Sequence, residues 1–112
     1  MGAVFKRPAA RRDLVAHYVY LAEHAGESVA DRFLKQAEVS FAGLTENPEI
    51  GAQLHLQRPE LANLRRWPVQ DFEQFLVFYL PRRNGVSIVR VLHTAQDWWG
   101  LLGVNASPPP LA

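Results

Sequence analysis

The chain has 112 residues, of which 48% are hydrophobic and 21% are charged, and its formal net charge is +1. This length fits one domain core, and we expect a single domain at residues 1–103 followed by a disordered tail at residues 104–112. Cysteine is absent and no apolar run approaches the ~20 residues that cross a bilayer, which excludes disulfides, thiolate metal sites and membrane spans and favours a cytoplasmic protein.

The first quarter of the chain predicts a strand followed by a helix. Residues 1–6 form a short apolar run that ends before Pro8, which is typical of a strand or an extended arm. In residues 9–25 the apolar side chains recur at helical spacing. Gly26 is expected to end this helix as the glycine after its last turn.

A second helix is predicted directly after the first. Ser28 is expected to cap it, with Asp31 completing an acidic variant of the capping box. Its apolar residues follow a 3.6-residue spacing up to Leu44, and Asn47-Pro48 ends it because the residue before a proline avoids the α region. Two helices joined by about three residues form an antiparallel hairpin whose apolar faces need a sheet to cover.

The second half of the chain predicts strands. Residues 50–58 have no period and are interpreted as a loop, whereas residues 64–69 predict a strand that Pro68 confines to an edge or an end. Residues 75–80 are a continuous aromatic and branched run, which indicates a central strand. The run is too continuous for a strand that has one face in water.

A hairpin and a short helix complete the predicted domain. The dipeptide Asn84-Gly85 favours a tight turn, and residues 86–93 then form the returning strand. Residues 97–102 predict a short amphipathic helix. The order β-α-α-β-β-β predicts an α+β fold with one sheet packed by a helical hairpin.

Several local motifs follow one another along the chain in a characteristic order and spacing. They are the helix start at residues 9–20, Asn47-Pro48-x-x-Gly51, Leu64-Arg65-Arg66, the run at residues 75–79, and residues 89–93 followed by Asp97. In these features the chain resembles the RelE/ParE toxin superfamily over residues 3–102. The resemblance implies a curved antiparallel sheet with a helical hairpin, and production beside an unstable antitoxin.

The branch of the superfamily decides the expected target. ParE-type members block DNA gyrase and RelE-type members cut messenger RNA in the ribosome. RNA-cutting relatives often place an arginine where Phe75 stands, and the ending from Arg90 to Asp97 is ParE-like. Gln96 occupies a position where an arginine commonly precedes that aspartate, so the contact of that arginine is not carried over.

The cations of the second half are candidates for binding a partner. Residues 51–112 carry six arginines against four acidic residues. Arg65 and Arg66 are adjacent on a strand and should point to opposite faces, either towards an acidic partner or as charges that protect a sheet edge. Arg90 should share the open sheet face with Ile88 and Leu92, either contacting the antitoxin or pairing with an acid such as Asp97.

Three further residues complete the candidate partner-binding set. His93 lacks a nearby nucleophile and is interpreted as a hydrogen-bonded histidine rather than a general base. Trp98 and Trp99 diverge by about 100 degrees on a helix, so one should pack on the sheet and the other should remain as an exposed anchor or lie under the tail. The remaining histidines give no metal geometry, so no metal, cofactor or catalytic residue is expected.

The sequence leaves three functional hypotheses. In the first, the chain is a ParE-like toxin that inhibits gyrase by binding and is neutralised by a ParD-like antitoxin in a hetero-oligomer. In the second, it is a RelE-like endoribonuclease whose arginines stabilise the phosphate transition state on the ribosome. In the third, it is an inactive relative that still binds an antitoxin.

Overall fold

A computed structural model describes residues 2–56 and 58–102 of the chain. The predicted tail therefore lies outside the described residues. The elements in chain order are β1 (Ala3–Lys6), α1 (Pro8–Ala25), α2 (Glu27–Glu46), β2 (Ala52–Gln53), a 3₁₀ turn (Pro59–Leu61), β3 (Arg65–Val69), β4 (Phe72–Arg82), β5 (Gly85–His93) and α3 (Trp98–Leu101). The α+β class and the predicted element order are confirmed, with one added two-residue strand, β2, in the segment interpreted as loop.

The two long helices meet at a single glycine. Gly26 has φ 100° and ψ 157°, and it is at once the residue after α1 and the N-cap of α2. The predicted Ser28 cap is wrong, because α2 already begins at Glu27 and no side chain caps it. A residue with positive φ reverses the chain in one step, so the expected turn of about three residues is not needed. The helix ends at Glu46 beside Asn47 as predicted.

The sheet has five strands in the order β1-β5-β4-β3-β2 and is mixed. All its neighbouring strands are antiparallel except β1, which runs parallel to β5 with Val4 opposite Val86. The expectation of a purely antiparallel sheet is corrected at this edge. β4 is central and its residues 75–80 are all buried, as predicted. Pro68 lies in β3 beyond Arg65 and Arg66, the two residues that pair with β2. A proline at this position therefore costs no hydrogen bond to β2.

The turn between β4 and β5 is tight, but it is one residue earlier than the Asn84-Gly85 dipeptide indicates. Arg82 and Gly85 are paired, so Arg83 and Asn84 form the connection. Gly85 has φ 152°, and a Cβ atom there would collide with the backbone of Ala3. Glycine is required at this position because β1 approaches the hairpin so closely.

The helices cover one face of the sheet and form the helix-side core. Phe33, Phe41, Val77 and Tyr79 are all 0% exposed in it. Burying a side chain of this size contributes roughly 1.5–3 kcal/mol, so this core supplies much of the fold's stability. Within the described ranges no helix is long and apolar enough to cross a membrane.

The opposite face of the sheet is also covered, as the continuous apolar run at residues 75–80 indicates, although the sequence did not show which segments cover it. Its buried side chains, here called the second core, are Leu61, Leu64, Leu76, Phe78, Leu80, Val89, Leu92 and Leu102. The cover comes from Leu54 and Leu56, from the segment at residues 61–64, and from α3, where Trp98 packs against this cluster. The second core therefore lies beneath short irregular segments rather than beneath long helices.

An irregularity in β5 changes which side chains share a face. Phe78 pairs with Arg90 but Tyr79 pairs with Ile88, so the register shifts and Val89 is the extra residue. Ile88 consequently packs in the helix-side core and Leu92 in the second core. The prediction that Arg90 shares one face with both of them is wrong for this reason.

Candidate partner-binding surface

Arg90 forms the most complete polar contact in the described structure. Its Nε donates to Oδ2 of Asp13 at 2.7 Å and its Nη2 donates to Oδ1 at 2.8 Å. The same Asp13 Oδ2 accepts from the backbone N–H of Val91 at 2.9 Å, so one carboxylate on α1 satisfies three donors of β5. The expected partner Asp97 is wrong, because its Oδ1 accepts from Gly100 N and caps α3.

The same guanidinium also reaches the C-terminal helix. Nη1 of Arg90 donates to the carbonyl oxygen of Leu101 at 2.8 Å. The hydrogen bonds that Arg90 donates to Asp13 raise the pKa of Arg90, and the paired side chains are only 19% and 10% exposed. A bidentate guanidinium–carboxylate pair of this kind is held in one geometry. Arg90 therefore joins α1, β5 and α3 instead of offering a free cation.

Arg65 holds the loop that follows α2. Its Nη1 donates to the carbonyl oxygens of Glu49 at 3.0 Å and Gly51 at 2.8 Å. The hydroxyl of Tyr79 donates to the carbonyl of Pro48 at 2.7 Å and accepts from Gly51 N at 2.9 Å. These contacts explain the Asn47-Pro48-x-x-Gly51 motif, because a Cβ at Gly51 would lie 2.6 Å from the Tyr79 hydroxyl. Arg65 is thus a structural residue on the helix side of the sheet.

Arg66 projects to the opposite face, as the strand alternation predicted. Its guanidinium carbon lies 5.2 Å from the ring centroid of Trp98, which in turn lies 5.6 Å from Phe78. Trp99 stacks on Trp98 with centroids 5.8 Å apart and planes 14° apart. We call Arg66, Trp98 and Trp99 the tryptophan stack. All three side chains are half-buried, so part of each faces solvent.

His93 lies close to the end of β5 in a local network. Its Nδ1 accepts from the backbone N–H of Ala95 at 3.0 Å, and its ring meets Phe75 edge-on at 5.0 Å. The same Phe75 also contacts His17 of α1 at 4.8 Å. Nε2 of His17 lies 2.7 Å from the carbonyl oxygen of Val91, to which it donates, and burial lowers the pKa of His17.

The outer surface of α1 carries a patch that the sequence analysis did not single out. Val15 is 64% exposed and Val19 is 48% exposed, one helical turn apart on the solvent side. Beside them Leu14, Tyr18 and Leu34 line a shallow apolar groove of about 210 Å³ between α1 and α2. We call these five residues the α1 strip. In the sequence, Val15 and Val19 are apolar residues that lie outside the apolar face of the predicted helix, and this pattern could have indicated the strip.

The structure therefore divides the candidate residues into two kinds. The tryptophan stack is a contiguous, partly exposed group, whereas Arg65 and Arg90 use their guanidinium groups within the fold. His93 is half-buried near α3 and is not part of the stack. Across residues 2–56 and 58–102, no three histidine or acidic side chains come together as a metal site. The residues that the sequence reasoning missed are Asp13 and Tyr79, which hold the candidate arginine and the loop.

Comparisons with known proteins agree with this architecture. The sequence model of the ParE toxin of the type II toxin–antitoxin system parDE matches residues 4–98. The chain is also similar in structure to the chromosomal ParDE system from P. aeruginosa, with a TM-score of 0.66 and 17% identity, over 83% of this chain and 96% of that chain. At this identity the structural likeness shows the fold. No curated protein matches the chain significantly. Because the family model spans most of its length, the chain belongs to the ParE toxin family of type II toxin–antitoxin systems.

Proposed function

We propose that this toxin inhibits DNA gyrase by binding it and that a cognate antitoxin neutralises it. The observation that carries the proposal is the match of the ParE family model over residues 4–98. Gyrase acts in the cytoplasm, so the toxin and its antitoxin would meet there. The described surface supports a binding role in two separate places, the tryptophan stack and the α1 strip.

The contacts of two of the candidate arginines, Arg65 and Arg90, favour binding over RNA cleavage. A nuclease that works by stabilising a phosphate transition state needs guanidinium groups directed at the scissile bond. Arg65 and Arg90 donate instead to backbone carbonyls and to Asp13. Redirecting them would break the loop after α2 and the connection to α3. The cost of leaving the partly buried Gly51 carbonyl and Asp13 carboxylate unpaired disfavours such a rearrangement.

The tryptophan stack is the surface we assign to gyrase. Tryptophan and arginine are enriched among residues that carry most of the binding energy at interfaces. Trp99 stacks on Trp98 and Trp98 stacks beneath Arg66, so the group is ordered before a partner arrives. A preorganised aromatic surface loses little conformational entropy on binding.

The α1 strip is the surface we assign to the antitoxin. Its exposed valines and apolar groove fit the apolar face of a helical antitoxin segment. Such a segment binds a groove through apolar side chains that lie one helical turn apart. Val15 and Val19 have that same spacing. Covering the strip would remove a large exposed apolar area from water, which stabilises the complex.

The experiment is induction of the full chain in a bacterial host, with Trp99→Ala as the test variant. The unchanged chain should stop growth, cause filamentation and accumulate gyrase–DNA cleavage complexes. Trp99→Ala should weaken these effects, while Arg12→Gln, an exposed change on α1, should leave them unchanged. New message ends with intact DNA would show the ribonuclease alternative. Unimpaired growth in a host that carries the same gyrase as the toxin's own organism would indicate an inactive relative.

The antitoxin surface is tested separately by co-expression. The product of the gene beside the toxin should rescue cells from the unchanged toxin. It should fail to rescue cells from Val15→Ser/Val19→Ser, because the polar side chains weaken apolar packing on the strip while the tryptophan stack is intact. Rescue that is equal for both toxins would exclude the α1 strip as the antitoxin site.

A further inference from the structure

An open pocket lies at the β1 edge of the sheet, away from both surfaces assigned above. Phe5, Arg82, Arg83, Asn84 and Ser87 line its volume of about 390 Å³. This volume is within the range of sites that bind small molecules or single nucleotides. The pocket combines β1 with the β4–β5 turn, so residues at both ends of the sequence form it.

Phe5 presents an aromatic surface to solvent in this pocket. Its side chain is 57% exposed although it lies within a strand. Its neighbours Val4 and Lys6 point to the other face, where Val4 packs in the helix-side core and Lys6 pairs with Glu38 at 2.8 Å. The alternation of a strand therefore directs Phe5 away from the helices.

Positive charge surrounds the exposed ring. Arg82 and Arg83 are exposed, and within the described ranges neither forms an ion pair. Arg7 adds a third guanidinium, because its Nε donates to the hydroxyl of Ser87 at 3.3 Å, beside the pocket. No acidic side chain lines the pocket among the residues that the structure describes. Its charge is therefore complementary to an anion.

We propose that this pocket binds a single-stranded nucleic acid segment, with one base stacked on Phe5 and adjacent phosphates held by Arg82 and Arg83. Arginines beside an exposed aromatic ring are the combination that single-strand binding surfaces use, since every base has a face that stacks. Guanidinium groups form paired hydrogen bonds with phosphate oxygens. The amide of Asn84 offers further donors to the sugar–phosphate backbone.

An acidic peptide is the competing ligand for this pocket. It would satisfy the arginines, but it would not use the flat exposed face of Phe5 in the same way. The ring stacks more favourably on a base than on a carboxylate side chain. The observations therefore favour nucleic acid, and the experiment includes an acidic peptide as a competitor.

The experiment measures binding of a fluorescently labelled oligothymidylate to the purified full-length chain by anisotropy over a range of salt concentrations. Phe5→Ala should weaken binding at least about fivefold because the base can no longer stack. Arg82→Gln/Arg83→Gln should weaken it further and reduce the slope of log affinity against log salt by roughly 0.7 for each phosphate that is no longer neutralised. Both sites are exposed, so thermal melting should show that the variants remain folded.

The matched control is Arg12→Gln/Lys35→Gln, which removes the same charge from exposed positions on α1 and α2. This control should bind nearly as tightly as the unchanged chain. An equal loss of affinity in the two charge-matched variants would overturn the proposal, since binding would then depend on net charge alone. Displacement by polyglutamate as effective as that by unlabelled oligothymidylate would assign the pocket to acidic peptides instead. Gyrase is absent from this assay, so its outcome is independent of the proposed function.

Discussion

The two faces of the sheet are covered in different ways. On the helix side, two helices of 18 and 20 residues bury large side chains such as Phe33 and Phe41 completely. On the other side, the four-residue helix α3 and short segments at residues 54–56 and 61–64 cover the second core. The first cover is regular and continuous, whereas the second consists of short segments held by individual polar contacts.

We expect this difference to separate the part of the fold that supplies stability from the surface that we propose for recognition. Long amphipathic helices bury much apolar area and resist local opening, while short segments with few contacts open at lower free energy. The tryptophan stack belongs to the second kind of cover, and Arg90 connects that cover to α1 through Asp13 and the Leu101 carbonyl.

The largest expected effect contrasts the two covers directly. Phe33→Ala removes a fully buried ring that contacts Phe72 and Phe75, and should lower the free energy of unfolding by about 3–5 kcal/mol. Trp98→Ala removes a half-buried ring of the other cover and should cost about 1–2 kcal/mol. Urea denaturation measures both. Equal decreases in stability would contradict the assignment of stability to the helix side.

The next effect concerns the pair that joins the two covers. Asp13→Ala leaves Arg90 and the Val91 N–H without their acceptor, and should cost about 2–3 kcal/mol because the pair is largely removed from water. Glu38→Gln, which breaks the more exposed pair with Lys6, should cost under about 1 kcal/mol. Thermal or urea unfolding of both variants compares them. A cost for Asp13→Ala no larger than that control would show that the connection to α3 is dispensable.

A smaller effect is expected at the loop after α2. Tyr79→Phe removes one hydroxyl that serves both Pro48 and Gly51, and should lower the free energy of unfolding by about 1–3 kcal/mol. Gly51→Ala should be destabilising in the unchanged chain, because its Cβ would lie 2.6 Å from that hydroxyl and 2.7 Å from the carbonyl oxygen of Arg66. The loss of stability caused by Gly51→Ala should be smaller in the Tyr79→Phe background, where the hydroxyl is missing. Additive effects in a double-mutant cycle would contradict this interaction.

The smallest effect is a dependence of stability on pH. Burial lowers the pKa of His17, against the opposing effects of the Val91 carbonyl and Asp13 and together with the repulsion of His93 and Arg90. The unfolded chain then binds this proton more readily, so the free energy of unfolding should fall as the pH drops below the ordinary histidine value of 6.5. Above that pH, His17 is neutral in both the folded and the unfolded chain, and its burial no longer lowers the free energy of unfolding.

Urea denaturation between about pH 7.5 and about pH 5.5 tests this dependence, a range that spans the ordinary histidine pKa. His17→Gln, which retains a donor for the Val91 carbonyl, should flatten the profile. His24→Gln, an exposed change on the same helix, is the control. An equal flattening by the control would mean that burial of His17 is not the cause.

The helix-side architecture could be predicted from sequence because it depends on local patterns. The apolar spacing in α2, the stop at Asn47 and the continuous run in β4 each follow from a few neighbouring residues. The register shift at Val89 could not be predicted, because the extra residue in β5 becomes visible only when β5 is paired with β4. The sequence of β5 alone does not show which side chains then share a face of the sheet. The parallel pairing of β1 likewise depends on packing between opposite ends of the chain.

The candidate site was predictable in part. The alternation of a strand correctly separated Arg65 from Arg66, and the helical divergence of two adjacent tryptophans indicated that they could not share one core position. The partner of Arg90 was not predictable, because Asp13 lies 77 residues away on α1 and Asp97 is nearer in sequence. Proximity in sequence was a poor guide to charge pairing here.

The central claim, that the chain is a gyrase-binding toxin, is tested most directly with purified components. The full chain is added to DNA gyrase at micromolar excess, and supercoiling of a relaxed plasmid is measured with and without Trp99→Ala. If the toxin inhibits gyrase as proposed, the unchanged chain abolishes supercoiling and accumulates cleaved DNA, and Trp99→Ala restores much of the supercoiling. Undiminished supercoiling with the unchanged, folded chain would contradict it.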